Sequence, residues 1–188
     1  MHDLAPGFAS ALEAQACFRA ILDAFSAPGR IVRLPVSLSP PSGLSAASAA
    51  LLLTLADAHV KVALPEDAAA RSWLNFHTGA PVATIAEADF CVCAAAKRPA
   101  LSTLRQGTDE APEAGATLIL EVEDLDGPAV RFSGPGLKHE VIIPLPLDAS
   151  FLTEWQAQAR NAPCGVDIIL CAGDRITALP RSIRIEKG

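Results

Sequence analysis

The chain has 188 residues, 51% of them hydrophobic, with 15 Lys and Arg against 21 Asp and Glu and a net charge of −6. That length suits one domain, residues 1–188, whose core needs no disulfide or metal staple, and the apolar fraction excludes a disordered chain. An acidic chain with four lysines lacks the phosphate-neutralising charge on which nonspecific nucleic-acid binding rests. The N-terminus from Met1 to Gly7 has neither the basic start nor the apolar stretch of a signal peptide. The longest apolar run, Ala46 to Ala56 with Ser48 and Thr54 inside it, falls far short of the ~20 residues of a membrane helix. A cytoplasmic protein with no membrane or nucleic-acid partner is expected. Five cysteines, at 17, 91, 93, 164 and 171, fall mostly in apolar runs and read as buried, reduced thiols.

Leu12, Phe18, Ile21, Leu22 and Phe25 recur at helical spacing and predict a helix from Ser10 to Phe25, stopped by Pro28-Gly29. Arg30 to Leu34 predicts a strand, the proline-rich residues 35–44 a loop, and Ser45 to Asp57 a helix apolar nearly all round. Val60 to Leu64 reads as a strand and Glu66 to Ser72 as a short helix, with Trp73 to Pro81 ending in a turn. Phe90 to Ala94 suits a buried strand, Pro99 to Gln106 a helix entered at proline, and residues 107–115 a polar loop. Thr117 to Val122 and Ala129 to Ser133, joined by Asp124-Leu125-Asp126-Gly127, predict a hairpin. Gly134-Pro135-Gly136 breaks the chain before a strand from Leu137 to Ile143, and Phe151 to Arg160 predicts a helix. Val166 to Cys171, Ile176 to Leu179 and Ser182 to Glu186 complete roughly eight strands. Helices mixed with strands in this way predict a mixed sheet covered by helices.

No phosphate-cradling Gly-x-x-x-x-Gly-Lys-Ser/Thr, no Gly-x-Gly-x-x-Gly, no Cys-x-x-Cys and no Gly-x-Ser-x-Gly occurs in the chain. Cys91 and Cys93 point to one face of a strand but lack a second ligand pair, so no metal site is expected. What remains is polar residues at turns. His77, with Thr78, is placed to act as acid, base or donor to phosphate, or else to bond its own loop. Thr108, Asp109 and Glu113 belong to a loop whose carboxylates suit acid–base work, or a solvated or helix-capping role. Ser133-Gly134-Pro135-Gly136 is either a backbone anion nest or a plain loop. Arg30 and Arg181 follow turn signals, where a guanidinium fork suits phosphonate or carboxylate, intramolecular pairing or a partner contact.

Several segments, in order, resemble the PhnH subunits of bacterial carbon–phosphorus lyase. They are Gln15 to Gly29, Leu51 to Asp57, Phe76 to Pro81, Gly107-Thr108, Ala111 to Leu120, Ser133 to Gly136, Gly165 to Leu170 and Leu179 to Arg181. The likeness spans residues 6–185, departing at Cys164 and at Ser182-Ile183. The resemblance implies a three-layer αβα sandwich similar to the large domain of pyridoxal-phosphate transferases, without that cofactor. It implies a homodimer when isolated, an accessory role beside other core subunits of the lyase, and a place in alkylphosphonate breakdown without established catalysis of its own. No catalytic residue and no cofactor are then expected. Cluster thiolates for radical S-adenosylmethionine chemistry are missing, and Lys61, Lys97, Lys138 and Lys187 adjoin no phosphate loop in sequence. The alternative is a small phosphonate- or nucleotide-binding enzyme that gathers His77, Glu113 and Arg30 or Arg181 in one pocket.

Overall fold

A computed structural model describes residues 4–188. In chain order the elements are α1 (Ala11–Ser26), β1 (Val32–Arg33), α2 (Ala46–Leu55), β2 (Val62–Ala63), α3 (Ala68–Thr78) and β3 (Phe90–Ala94). After two single 3₁₀ turns, Ala95–Lys97 and Leu101–Thr103, and a third at Pro112–Ala114, come β4 (Thr117–Glu121), β5 (Ala129–Ser133) and β6 (Val141–Pro144). Then follow α4 (Ala149–Gln158), β7 (Asp167–Ala172), β8 (Arg175–Leu179) and β9 (Arg184–Lys187).

The large sheet has the order β1-β8-β7-β4-β3-β2. Strands β2, β3, β4 and β7 run parallel, and β8 is antiparallel to both β7 and β1. Central strands of such a sheet are buried on both faces and therefore read as continuous apolar runs. In β4, Leu118 and Leu120 pack on one side and Ile119 on the other. In β7, Ile168 and Leu170 oppose Ile169 and Cys171 in the same way. One face carries α1, α2 and α3, through Cys17, Ile21, Leu51, Trp73 and Leu74. The other carries α4, through Phe151 and Trp155, together with a three-stranded antiparallel sheet of order β6-β5-β9 that supplies Val130, Phe132 and Ile185. The mixed sheet with helical cover is as expected; the second cover is part helix and part small sheet.

Three sequence expectations are corrected. β4 and β5 form no hairpin: β4 pairs with β3 and β7, while β5 pairs with β6 and β9. The reason is burial, because β4 is apolar on both faces and β5 on alternate residues only. The expected helix over Pro99 to Gln106 is only the 3₁₀ turn Leu101–Thr103, since Leu104 turns to an extended ψ of 160°. The short helix ending at Ser72 instead continues to Thr78. Asp67 caps its start by accepting from Ala69 and Ala70 at 2.8 and 3.1 Å, Trp73 and Leu74 bury its face, and Gly79 closes it in the left-handed region at φ 70°.

The segment after β3 is tied to α4 by Arg98, which meets Glu154 in a bidentate pair at 2.7 and 3.0 Å. Glu154 also accepts from the Leu101 amide at 2.7 Å, and the guanidinium lies 5.5 Å from the centre of the Phe151 ring. The Arg98 hydrogen bonds hold the Glu154 carboxyl below its ordinary pKa of 4.5. A carboxylate depressed in the folded state stabilises the fold above its unfolded pKa, and the contribution is lost as the pH falls through the folded value. Glu154→Gln is therefore expected to lower stability at neutral pH by about 1.5–3 kcal/mol and to flatten the loss below pH 4.5, as read by urea titration in both ranges. Thr177 presents the opposite case. Its residue is fully buried, and its Oγ1 has no hydrogen-bond partner among the described residues. Thr177→Val is expected to raise stability by about 1 kcal/mol in thermal or urea unfolding, because it exchanges an unsatisfied hydroxyl for a methyl of the same shape. A lower stability would contradict it.

Candidate functional site

His77 lies in the last turn of α3, not in a loop. Its Nε2 is 3.0 Å from the carbonyl oxygen of Ala5, which also accepts from Trp73 Nε1 at 2.7 Å. A carbonyl oxygen only accepts, so the His77 proton sits on Nε2. The imidazole is flanked by the Trp73 and Phe76 rings, each with its centroid 5.0 Å away. Gly7 crosses over the ring so closely that a Cβ there would stand 2.8 Å from Nδ1. Thr78 donates to the carbonyl of Leu74 at 2.8 Å and accepts from the Ala80 amide at 3.0 Å. Both residues thus fasten chain to chain, His77 binding the N-terminal segment to α3 and Thr78 the helix end to the turn after it.

Arg181 lies in the chain between the buried Leu179 and Ile183 and reaches the start of β7. Its Nε donates to both oxygens of Asp167 at 3.1 Å, one terminal nitrogen to Asp167 Oδ2 at 2.6 Å, and the other to the Pro112 carbonyl at 2.6 Å. The Arg181 amide adds a bond to Asp167 Oδ1 at 2.7 Å. The guanidinium passes so close to Gly115 that a Cβ at that position would overlap it. The arginine therefore clamps the loop of residues 107–115 onto the amino end of β7. Within that loop Thr108 Oγ1 accepts from the Ala111 amide at 3.1 Å. Asp109 lies 3.7 Å from Cys164 Sγ, and Glu113 is exposed. Desolvation, with the Asp109 carboxylate second, pushes the Cys164 thiol up. Arg30 points into solvent beyond the buried Pro28 and Gly29. The structure thus gathers Arg181, Thr108, Asp109 and Glu113 in one region and leaves His77, Thr78 and Arg30 elsewhere.

Sequence reasoning missed a cleft of about 690 Å³ over the carboxyl ends of β2, β3 and β4, the end at which open α/β sheets bind their ligands. Leu44, Leu64, Pro65, Ile85, Val92 and Pro99 give its wall an apolar part. Glu121, at the end of β4, turns back to the start of α2. It accepts from the Ser45 amide at 2.8 Å and from Ser48 Oγ through a short contact. A carboxylate is well placed at a helix N-terminus, where unpaired amides carry partial positive charge. Lys97 and the stretch Gly43–Ser45 both line this cleft, so tertiary structure joins a lysine to a glycine/serine turn that sequence keeps apart. The amide a phosphate would need there is already taken by Glu121, so these residues do not fit a phosphorylated cofactor.

Cys91 and Cys93 also face this cleft. Interaction between the two thiols lowers Cys91 from its ordinary value and, with burial, pushes Cys93 up. Cys17 and Cys171 are buried, as expected of inert thiols; burial pushes Cys17 up to about 11 and Cys171 well above its ordinary value. The signals for the cleft were the Cys-x-Cys alternation in β3 and a glutamate ending the apolar run of β4.

The chain was compared with known proteins. Residues 6–186 match the family described as bacterial phosphonate metabolism protein, PhnH. The PhnH subunit of alpha-D-ribose 1-methylphosphonate 5-triphosphate synthase from Rhizobium meliloti is 37% identical over 182 residues, covering 93% of this chain and 91% of the relative. A putative C-P lyase subunit protein, HtxG, from Stutzerimonas stutzeri is 35% identical over 177 residues, covering 92% of this chain and 85% of the relative. Likeness of this extent, running through nearly the whole chain, means that the chain belongs to the PhnH family of bacterial phosphonate metabolism proteins.

Proposed function

We propose that this chain is an accessory, noncatalytic subunit of a carbon–phosphorus lyase core complex, working in the cytoplasm in the breakdown of organic phosphonates. The relatives' descriptions as a synthase subunit and as a putative C-P lyase subunit motivate the reading. The observation that carries it is the way Arg181 is spent. Every nitrogen of its guanidinium donates to Asp167 or to the Pro112 carbonyl, so the fork that would grip a phosphonate is engaged within the chain. An enzyme using a pocket of His77, Glu113 and an arginine requires those groups to converge, whereas His77 is engaged with Ala5 and Trp73 at α3 and Arg181 with Asp167 and Pro112 at the start of β7.

The reading includes a single domain related to the large domain of pyridoxal-phosphate transferases, and a homodimer when isolated. Support for self-association comes from α1, whose outer side leaves Leu12 75%, Phe18 44% and Leu22 52% exposed. Apolar groups clustered on one helix face in water favour burial against a partner. Light scattering is expected to return a dimer mass at micromolar concentration for the unmodified chain, and a monomer mass for Phe18→Glu combined with Leu22→Glu. A monomeric unmodified chain would overturn the dimer.

Reconstitution of the lyase tests the noncatalytic role. His77→Ala and Arg181→Ala are expected to lower the stability of this subunit, while phosphonate turnover per assembled complex stays within about twofold of the unmodified complex. General acid–base catalysis contributes roughly 10²–10⁴-fold to a rate. A fall in that range for His77→Ala, in a subunit that folds and assembles normally, would place His77 in an active site.

A further inference from the structure

The cleft at the carboxyl ends of the strands continues into an acidic strip. Glu121 and Ala94 line both the cleft and the neighbouring depression, whose wall runs on through Glu123, Asp124 and Asp126. Among the described residues, Asp124 is paired with Arg175 at 3.0 Å, while Glu123 and Asp126 form no ion pair. Lys97 is the cation lining the cleft, opposed there by Glu66 and Glu121. Arg98 next to it is committed to Glu154.

We propose that this cleft and strip form the docking surface for a partner subunit's segment in which an apolar side chain is followed by basic residues. The apolar side chain fills the space between Leu64, Ile85, Val92 and Pro99, and the basic residues lie along Glu123 and Asp126. This rests on the accessory-subunit reading and names the chemistry of the partner. An apolar pocket with a polar, charged rim is the usual form of a protein interface, and buried anchors in such pockets carry most of the binding energy. Charge complementarity selects a cationic segment over an anionic small molecule. A phosphonate or nucleotide entering here meets the Glu121 carboxylate at the helix start and further carboxylates at the rim. Cys91 and Cys93 both line the cleft, and Cys93, part-exposed where Cys91 is buried, lets a reagent for thiols report on whether the cleft is filled.

The test uses this chain purified alone and co-purified with the other lyase subunits. N-ethylmaleimide modification of the peptide carrying Cys91 and Cys93 is followed by mass spectrometry. Alkylation is expected to be on the order of tenfold slower in the complex, with Cys164, outside the cleft, as internal reference. Ala94 is exposed at the cleft mouth, so Ala94→Trp is expected to weaken assembly about tenfold without lowering the melting temperature. Glu123→Lys with Asp126→Lys is expected to weaken it similarly and to reduce its salt dependence. Unchanged assembly by both variants, with equal alkylation in the free and complexed chain, overturns the docking surface and leaves the accessory reading standing. Slower alkylation of the free chain on adding methylphosphonate or ATP also overturns it, since the cleft is then a small-molecule site. Failure of the unmodified chain to co-purify with any lyase subunit removes the accessory reading, and this inference with it.

Discussion

The parallel pairing of β4 with β7 sets the terms for everything around it. Leu118, Ile119 and Leu120 lie in register with Ile168, Ile169 and Leu170, and each of the six is at most 3% exposed. Burying such a side chain is worth ~1.5–3 kcal/mol, so neither face of the strand pair tolerates water. The sheet must be covered twice. Helices α1, α2 and α3 take one side, and α4 with the small antiparallel sheet takes the other.

That arrangement makes the two ends of the central strands chemically different. At the amino end, Asp167 begins β7 and binds Arg181, which in turn holds the carbonyl of Pro112 ahead of β4. The charges of Asp167 and Arg181 satisfy one another there, and the loop of residues 107–115 is fastened to the sheet. At the carboxyl end, β2, β3 and β4 stop below an open apolar cleft. Glu121 seats the start of α2 there and gives that end a negative rim. This chain thus presents, at the end of the sheet where open α/β sheets bind their ligands, a helix start already occupied by its own carboxylate.

The strap at α3 follows from the same demand for cover. Trp73 is buried against the sheet and brings its indole N–H into the interior, where it needs an acceptor. The Ala5 carbonyl supplies it, and His77, one turn further along the helix, shares that acceptor. The imidazole is therefore engaged in holding the N-terminal segment, and its place in the chain reflects the helix face on which Trp73 lies.

Periodicity and Pro/Gly turn signals in the sequence determined α1, α2, the core strands and the mixed-sheet class. Alternation and helical spacing reflect burial directly, and a local backbone signal such as Pro28-Gly29 ends an element without reference to the rest of the chain. The ordered segments that resemble PhnH likewise carried the family, since such likeness needs no coordinates. The placement of β4 and β5 in different sheets was decided only by tertiary structure. Their turn is compatible with a hairpin, and only the need to bury β4 on both faces separates them. The same holds for the seven candidate residues, of which Arg181, Thr108, Asp109 and Glu113 come together while His77, Thr78 and Arg30 stand apart. It holds equally for the cleft, where Gly43, Cys93, Lys97 and Glu121 meet from separate stretches of chain. Such meetings are set by the order and register of strands, which long-range packing selects and no local pattern of residues encodes.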